Sequence, residues 1–316
     1  MPVKFGIPMI EGNKDIIAGI TDLTTEADAA ESQKDSYGKL QFFSDFSIAP
    51  SYLIQGTIDN SIPAWMNEDG TLNENAVKEY LEQVNRIWQT QKNAIEETKK
   101  AYQMGDDWAD SDHSGYMDIS GSVTSLLAKV DTVAAGGLLS PEGLVSLDSA
   151  RKVDPDLDYK LLNGQSENCF YPRSAVGVSA KASEKEAAEK FVKFLFEEES
   201  QRASNTEGLA VNSKVYEDMA YWKMGKSSGD TIGSIGASYD TGDGNIKQIE
   251  MDEIIPEDEA IQNIMDLGKT LTVPAKSNQI IRNAVTESGE KYLNGETGLD
   301  DAVKEIMQEV NLYLSE

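Results

Sequence analysis

Histidine and cysteine are almost missing from this chain: among 316 residues there is one of each, His113 and Cys169. A single cysteine excludes an intramolecular disulfide and a thiolate zinc cage, and it leaves the redox compartment undecided. The single histidine sits in the polar stretch Asp110-Ser111-Asp112-His113-Ser114-Gly115, with no nucleophile-elbow pattern beside it. A solvated loop residue is its expected role, not a Ser-His-Asp or Cys-His centre. Long apolar runs are also lacking. The patch Ile16-Ile17-Ala18-Gly19-Ile20 is too short for a signal core and follows Glu11 and Asp15, and no run approaches the roughly 20 residues of a membrane helix. Basic residues are scarce as well: 28 Lys and Arg stand against 55 Asp and Glu, a net charge of −27. With no basic stripe or cluster, binding of nucleic acid or an anionic membrane surface is not expected.

What is present is globular in composition, with 39% hydrophobic and 26% charged residues, enough for one large domain or two modest ones. Phe5 to Ile10 has a strand pattern that Pro8 is expected to break, and Leu40 to Phe43 has another. Apolar residues from Asn75 to Met104 follow helical spacing, with Gly105 as a stop. Tyr116 to Ser122 alternates as a strand ending on small residues, which allow close approach of a ligand or simply a turn. Gly136-Gly137 and Ser140-Pro141 divide Ser125 to Arg151 into expected short helices and loops. Tyr159 to Leu162 and Ala175 to Ser179 read as strands. Ser183 with Glu186 then forms a capping box for a helix whose face is Ala187, Ala188, Phe191, Val192 and Leu195. A strand feeding a helix is α/β organisation. The glycine-rich stretch Gly225 to Gly244 is expected to be loop, and Gly233-Ser234-Ile235-Gly236 lacks phosphate-cradle spacing. Helices are predicted over Pro256 to Leu267, Ser277 to Tyr292 and Leu299 to Leu314, the last with the stripe Leu299, Ala302, Val303, Ile306, Met307 and Val310.

Carboxylates are too numerous for spacing alone to define an acid/base pair. Asp106, Asp107, Asp110 and Asp112, and the loop Asp240-Thr241-Gly242-Asp243-Gly244, offer hard oxygen ligands but do not match an EF-hand, so no metal and no cofactor are assigned. The aromatic residues in polar stretches carry more information: Tyr52, Trp65, Trp108, Tyr116, Phe170, Tyr171, Tyr221 and Trp222. A sugar stacks its C–H face on a flat ring while its hydroxyls bond to nearby amide and carboxyl groups. For each ring alone a partly buried packing role is favoured, and the set matters more than any member.

Asp158 to Gly164, Phe170-Tyr171-Pro172, Val176 to Lys181 and Ala187 to Leu195 follow one another in an order that resembles a known family. After them come Gln201 and Gly208-Leu209-Ala210-Val211-Asn212, then Tyr292-Leu293-Asn294-Gly295-Glu296 to Asn311. The family is that of the extracellular solute-binding proteins of ABC importers, the maltose-binding-protein-like group that includes sugar-binding lipoproteins of Gram-positive bacteria. The resemblance extends from about Asn67 to the C-terminus. It implies an α/β, helix-rich, type II two-lobe fold that closes on its ligand, with an incomplete first lobe, because Val3 to Met9 already resembles a hinge strand. Residues 1–172 would then be mainly the second lobe, with the hinge strand near 3–10. Residues 173–250 would return to the first lobe, and 251–316 would be terminal helices on the second.

The implied function is non-enzymatic capture of a mono- or oligosaccharide by a monomer and its delivery to permease subunits. The implied location is extracellular, held by a lipidated cysteine outside these residues. A peptide or other polar solute is the alternative cargo, and a secreted glycoside hydrolase or a surface interaction module is the rival class. By position, the resemblance places Tyr52, Tyr116, Ser120, Ser122, Asn168, Phe170 and Tyr171 at the cleft, and composition adds Trp222. Where the family carries a stacking Trp, this chain has Gly121-Ser122-Val123, so stacking is expected from other rings.

Overall fold

A computed structural model describes residues 1–33, 41–43, 49–101, 123–129, 132–203, 208–240, 245–276 and 278–314. Its elements in chain order are β1 (Pro2–Asn13), α1 (Lys14–Ile17), α2 (Leu23–Gln33), β2 (Gln41–Phe43), α3 (Pro50–Ile58), α4 (Ile62–Trp65), α5 (Glu74–Ala101) and α6 (Val123–Ala128). There follow β3 (Thr132–Leu139), α7 (Pro141–Val153), β4 (Leu157–Leu161), β5 (Cys169–Ala175), α8 (Lys185–Phe194), α9 (Glu198–Arg202), β6 (Leu209–Ala210) and α10 (Ser213–Tyr216). The last are α11 (Met219–Trp222), β7 (Thr231–Asp240), β8 (Ile246–Ile254), α12 (Asp258–Thr270), β9 (Val273–Pro274), α13 (Gln279–Leu293) and α14 (Leu299–Leu314).

The main sheet is built around β1, in the order β2-β3-β1-β5-β9, with β4 and β6 also paired to β1. The first half of β1 pairs with β5 (Gly6 opposite Tyr171) and β6 (Phe5 opposite Leu209). Its second half pairs with β3 (Ile7 opposite Leu139) and β4 (Met9 opposite Leu161). Pro8 does not break this strand, contrary to the expectation from sequence. Its carbonyl accepts from Leu162 N at 3.0 Å, one residue past the end of β4. Its nitrogen points the same way, to the place where β4 has ended and β5 has not begun, so the missing N–H removes almost nothing from the ladder.

Alternate residues of β1 face opposite layers. Ile10 joins a helical core with α2, α3, α4, α5, α13 and α14, in which Trp65, Tyr80, Leu81, Ile281 and Ile306 are fully or almost fully buried. Ile7 and Met9 face a second core with Leu144 and Leu147 of α7, and with Val215, Trp222, Ile261 and Met265 of α10, α11 and α12. A smaller third core holds Val123, Leu126, Ala135, Ala150, Leu157 and Met251. Each large side chain buried in this way contributes about 1.5–3 kcal/mol.

Four local expectations are corrected. Gly136-Gly137 lies inside β3, opposite Ile10 and Met9, because pairing with the central strand overrides local preference. The strand expected at Ala175 to Ser179 lies earlier, at β5, where positions 2–6 of β1 fix the register. The glycine-rich stretch forms the long hairpin β7–β8, anchored on α7 where Ser149 Oγ receives Ile254 N at 2.9 Å and Ser146 Oγ donates to Glu253 at 2.7 Å. Ser183 caps nothing: α8 starts at Lys185 behind Glu184 without a side-chain cap, and none of its residues is buried.

Gln201 explains why the passage from α8 to β6 reads as it does. It is fully buried, and its amide makes every bond it can. Nε2 donates to Val3 O at 3.0 Å and Leu195 O at 2.7 Å, while Oε1 accepts from Val211 N at 2.8 Å and Asn212 N at 3.4 Å. Asn212 in turn donates to Phe196 O and caps α10. One amide thereby ties α8, β1 and β6 together. Gln201→Leu keeps the volume but leaves buried backbone groups unpaired at about 1–3 kcal/mol each, so a loss of at least ~3 kcal/mol in urea unfolding is expected.

Glu26 of α2 is 1% exposed and burial pushes its carboxyl up to about 8, with Asp22 adding to the effect. A raised folded value means the native state keeps a proton that the unfolded chain releases. The stability is therefore whole below about 4.5 and declines as pH rises to about 8, at up to ~1.4 kcal/mol per pH unit. Glu26→Gln should flatten this dependence, raising the melting temperature at pH 8 far more than at pH 4.5.

Candidate functional site

The β4–β5 connection carries Asn168 and leads directly into Phe170 and Tyr171 of β5. Gly164 packs so tightly on the end of α3 that a Cβ would stand 2.3 Å from Asn60 Oδ1 and 2.6 Å from Ser61 Oγ. Gln165 receives the Trp65 indole N–H at 2.5 Å and donates to Ala76 O at 3.0 Å, while Ser166 N donates to Asn60 O at 3.2 Å. Asn168 then turns the chain into β5 with φ +53°, a left-handed conformation its short amide side chain tolerates. Its carbonyl accepts from Thr272 N and Val273 N at 3.0 and 3.1 Å, which fastens β9 alongside.

The same junction holds a charged pair. Lys276 N donates to Asp59 O at 3.1 Å, and Arg282 of α13 donates to Asp59 Oδ2 at 2.6 Å, with both side chains mostly buried. Burial pushes the Asp59 carboxyl up to about 6 against the opposing attraction of Arg282. The pair joins α3 to α13.

Phe170 is half-buried and meets Phe5 edge-on at 6.3 Å; Phe5 continues to Tyr216 at 5.5 Å, and Tyr216 to Trp222 at 5.6 Å. This row of rings leads from the partly open Phe170 into the core. Trp222 is its buried end, 1% exposed, with the indole N–H held by Tyr216 O at 2.7 Å. A ring without free face or free donor cannot stack on a ligand, so Trp222 is a core residue and its assignment to the cleft is corrected. Trp65 and Tyr221 are core rings too, at 0% and 4% exposure.

Tyr171, next to Phe170, lies on the other face of β5 and is buried at 4% exposure, so its assignment to the cleft is corrected as well. Tyr52 stands half-buried on the first turn of α3. Seven residues separate it from Asp59, about 10 Å along the axis, so Tyr52 and Asn168 lie toward opposite ends of one helix. Tyr116, Ser120 and Ser122 lie outside the described residues, as do Trp108, His113, the acidic cluster at 106–112 and Thr241 to Gly244. Among the described residues, no group of three His, Cys, Asp or Glu is placed to hold a metal ion, and no helix is long and apolar enough to cross a membrane. Arg282 and Asp59 are the functional-looking pair that sequence reasoning missed; a lone Arg and a lone Asp more than 200 residues apart carry no local signal.

Comparison with known proteins defines the class. The family model described as bacterial extracellular solute-binding protein matches residues 7–202, and the chain belongs to that family. Its fold is the type II periplasmic-binding-protein-like architecture. Maltose-bound MalE3 of T. maritima superposes with a TM-score of 0.51 at 13% identity, over 99% of this chain and 72% of that one. The cyclic alpha-maltosyl-1,6-maltose binding protein of Arthrobacter globiformis gives 0.50 at 14% identity, over 99% and 71%. No curated protein sequence matches the chain.

The two kinds of ring should behave differently on truncation. Trp222→Ala empties a core position and is expected to cost about 3–5 kcal/mol, whereas Tyr52→Ala should cost about 1 kcal/mol, both measured by urea titration followed by circular dichroism.

Proposed function

We propose that the protein is the solute-binding subunit of an ABC importer that captures a mono- or oligosaccharide and delivers it to permease subunits without chemically changing it. The observation that carries this reading is family membership over residues 7–202, joined to a fold shared along the whole chain with proteins that bind maltose and cyclic alpha-maltosyl-1,6-maltose. Closure follows from population shift: a ligand touching both lobes only in the closed form stabilises that form, and the closed form is what the permease recognises. The reading places the protein outside the cell, held to the membrane as a lipoprotein and acting as a monomer.

In this proposal β1 is the hinge strand, residues 1–172 are mainly the second lobe, 173–250 return to the first and 251–316 complete the second. Tyr52, Asn168 and Phe170 are the described cleft candidates, with Tyr116, Ser120 and Ser122 carried by resemblance. Trp222 supports Phe170 from behind through Tyr216 and Phe5.

The test is thermal unfolding against mono- and oligosaccharides, with short peptides as controls. A ligand at a hundred times its Kd adds about 2.7 kcal/mol of stability. A shift with one sugar class, no product by chromatography, and weaker binding by Tyr52→Ala is the expected outcome. A shift with peptides alone would overturn the sugar assignment, and turnover of the sugar would overturn the non-enzymatic one.

A further inference from the structure

Among the described residues, the first and third cores do not close on each other at the far end of β1. Ile16 of α1 and Val133 of β3 pack on the edge of the first core, Leu126 of α6 and Leu157 of β4 belong to the third, and together they wall a cavity of about 180 Å³. Most of its polar lining is engaged. Asn13 caps α1 by accepting from Asp15 N at 3.0 Å, and Gln33 donates to Ser32 Oγ at 3.3 Å. Lys129 pairs with Asp154 at 2.6 Å, and Asp156, exposed at the rim, pairs with Lys14 at 3.2 Å. Thr132, the first residue of β3, differs: it is 3% exposed and its hydroxyl has no hydrogen-bond partner. An unbonded buried hydroxyl is costly, so it marks a place where a partner belongs. Lys129 ends α6 at φ +55°, a conformation that strains a long side chain and that recurs where ligands are held.

We propose that this cavity is a second binding site, for a small neutral molecule with an apolar body and one hydroxyl group. Size sets the first limit. A cavity of about 150 Å³ with aliphatic walls admits benzene, so this one has room for a single ring bearing one small substituent. Charge sets the second, because both carboxylates at the cavity are already paired with lysines and no ionic ligand is called for. The walls set the third. Ile16, Leu126, Val133 and Leu157 offer carbon to a ligand; a sugar would turn its hydroxyls against them, and a water molecule needs two to four polar partners. One ligand hydroxyl suffices for Thr132, whose own hydroxyl both donates and accepts. The site is separate from the proposed sugar cleft: Phe5, which meets Phe170, and Asn13 at the cavity lie eight residues apart on β1, about 27 Å.

The test is methyl NMR of the 316-residue chain titrated with benzyl alcohol, with toluene and glucose as comparison ligands. Benzyl alcohol is expected to shift the methyl signals of Ile16, Leu126, Val133 and Leu157 saturably, with a Kd on the order of 1 mM, and glucose is not. Thr132→Val keeps the shape and removes the hydroxyl. It should weaken benzyl alcohol about tenfold, the effect of one hydrogen bond, leave toluene unchanged, and keep or raise the melting temperature. Ile16→Trp, at a half-exposed position of α1, should fill the cavity and abolish binding of both compounds; Leu126→Phe fills it from the opposite wall and serves if the first variant does not fold. Scattered shifts that do not saturate, binding at high concentration only, would overturn the proposal. So would equal weakening of toluene and benzyl alcohol by Thr132→Val, a fall in the melting temperature of that variant, or binding that persists in a folded filled variant. The sugar panel has no bearing on these outcomes.

Discussion

Strand β1 must satisfy backbone groups along both of its edges, and it does so with four partners, two for each half. Buried backbone N–H and C=O groups that lack partners are costly enough that this requirement organises the rest of the chain. The segments that supply the partners are separated from β1 by more than a hundred residues, so β1 gathers the chain before side-chain packing refines it. Its two faces then divide the interior, with Ile10 on the helical side and Ile7 and Met9 on the side of α10 to α12. Phe170, a proposed cleft residue, inherits its position from the same strand, since it belongs to β5 and β5 is held in register by Lys4, Phe5 and Gly6.

Helices with one buried stripe were legible in the sequence, and the limits of α14 are those its periodicity predicts, Leu299 to Leu314. The stripe of α8 was equally legible as a pattern, but a pattern states only that a face is apolar and not that anything covers it. Strands were less legible. Gly136-Gly137 and the run from Gly233 look like breaks when taken locally; they become strands because β1 and β8 provide partners at a distance. The rings illustrate the same limit for the site. Phe170 and Trp222 are both aromatic residues in polar text, and only the folded chain shows that one is partly open while the other is enclosed with its donor occupied.

Family likeness and local chemistry meet at Gln201 and Asn212. The passage joining them reads as a degenerate motif, yet its two amides make a closed set of bonds among α8, β1, β6 and α10. A carboxylate or an aliphatic side chain of similar size cannot reproduce a set that contains both donors and acceptors. The glycine at 208 is constrained as strictly, with φ +115° and a Cβ position 2.6 Å from Phe5 O.

Pro8 acts as a register pin. A strand bordered on both sides by other strands can slide by two residues and still present the same faces, so alternation of apolar residues does not by itself select one alignment. Two residues of β1 lack a donor, Pro2 at its first position and Pro8 in its interior, and Pro8 lies where β4 has ended and β5 has not begun. Sliding by two would carry Pro8 into the paired stretch of β4 or β5, where the ladder uses a backbone N–H. The alignment of β1 against β4 and β5 is thus favoured by a position whose contribution is the absence of one hydrogen atom.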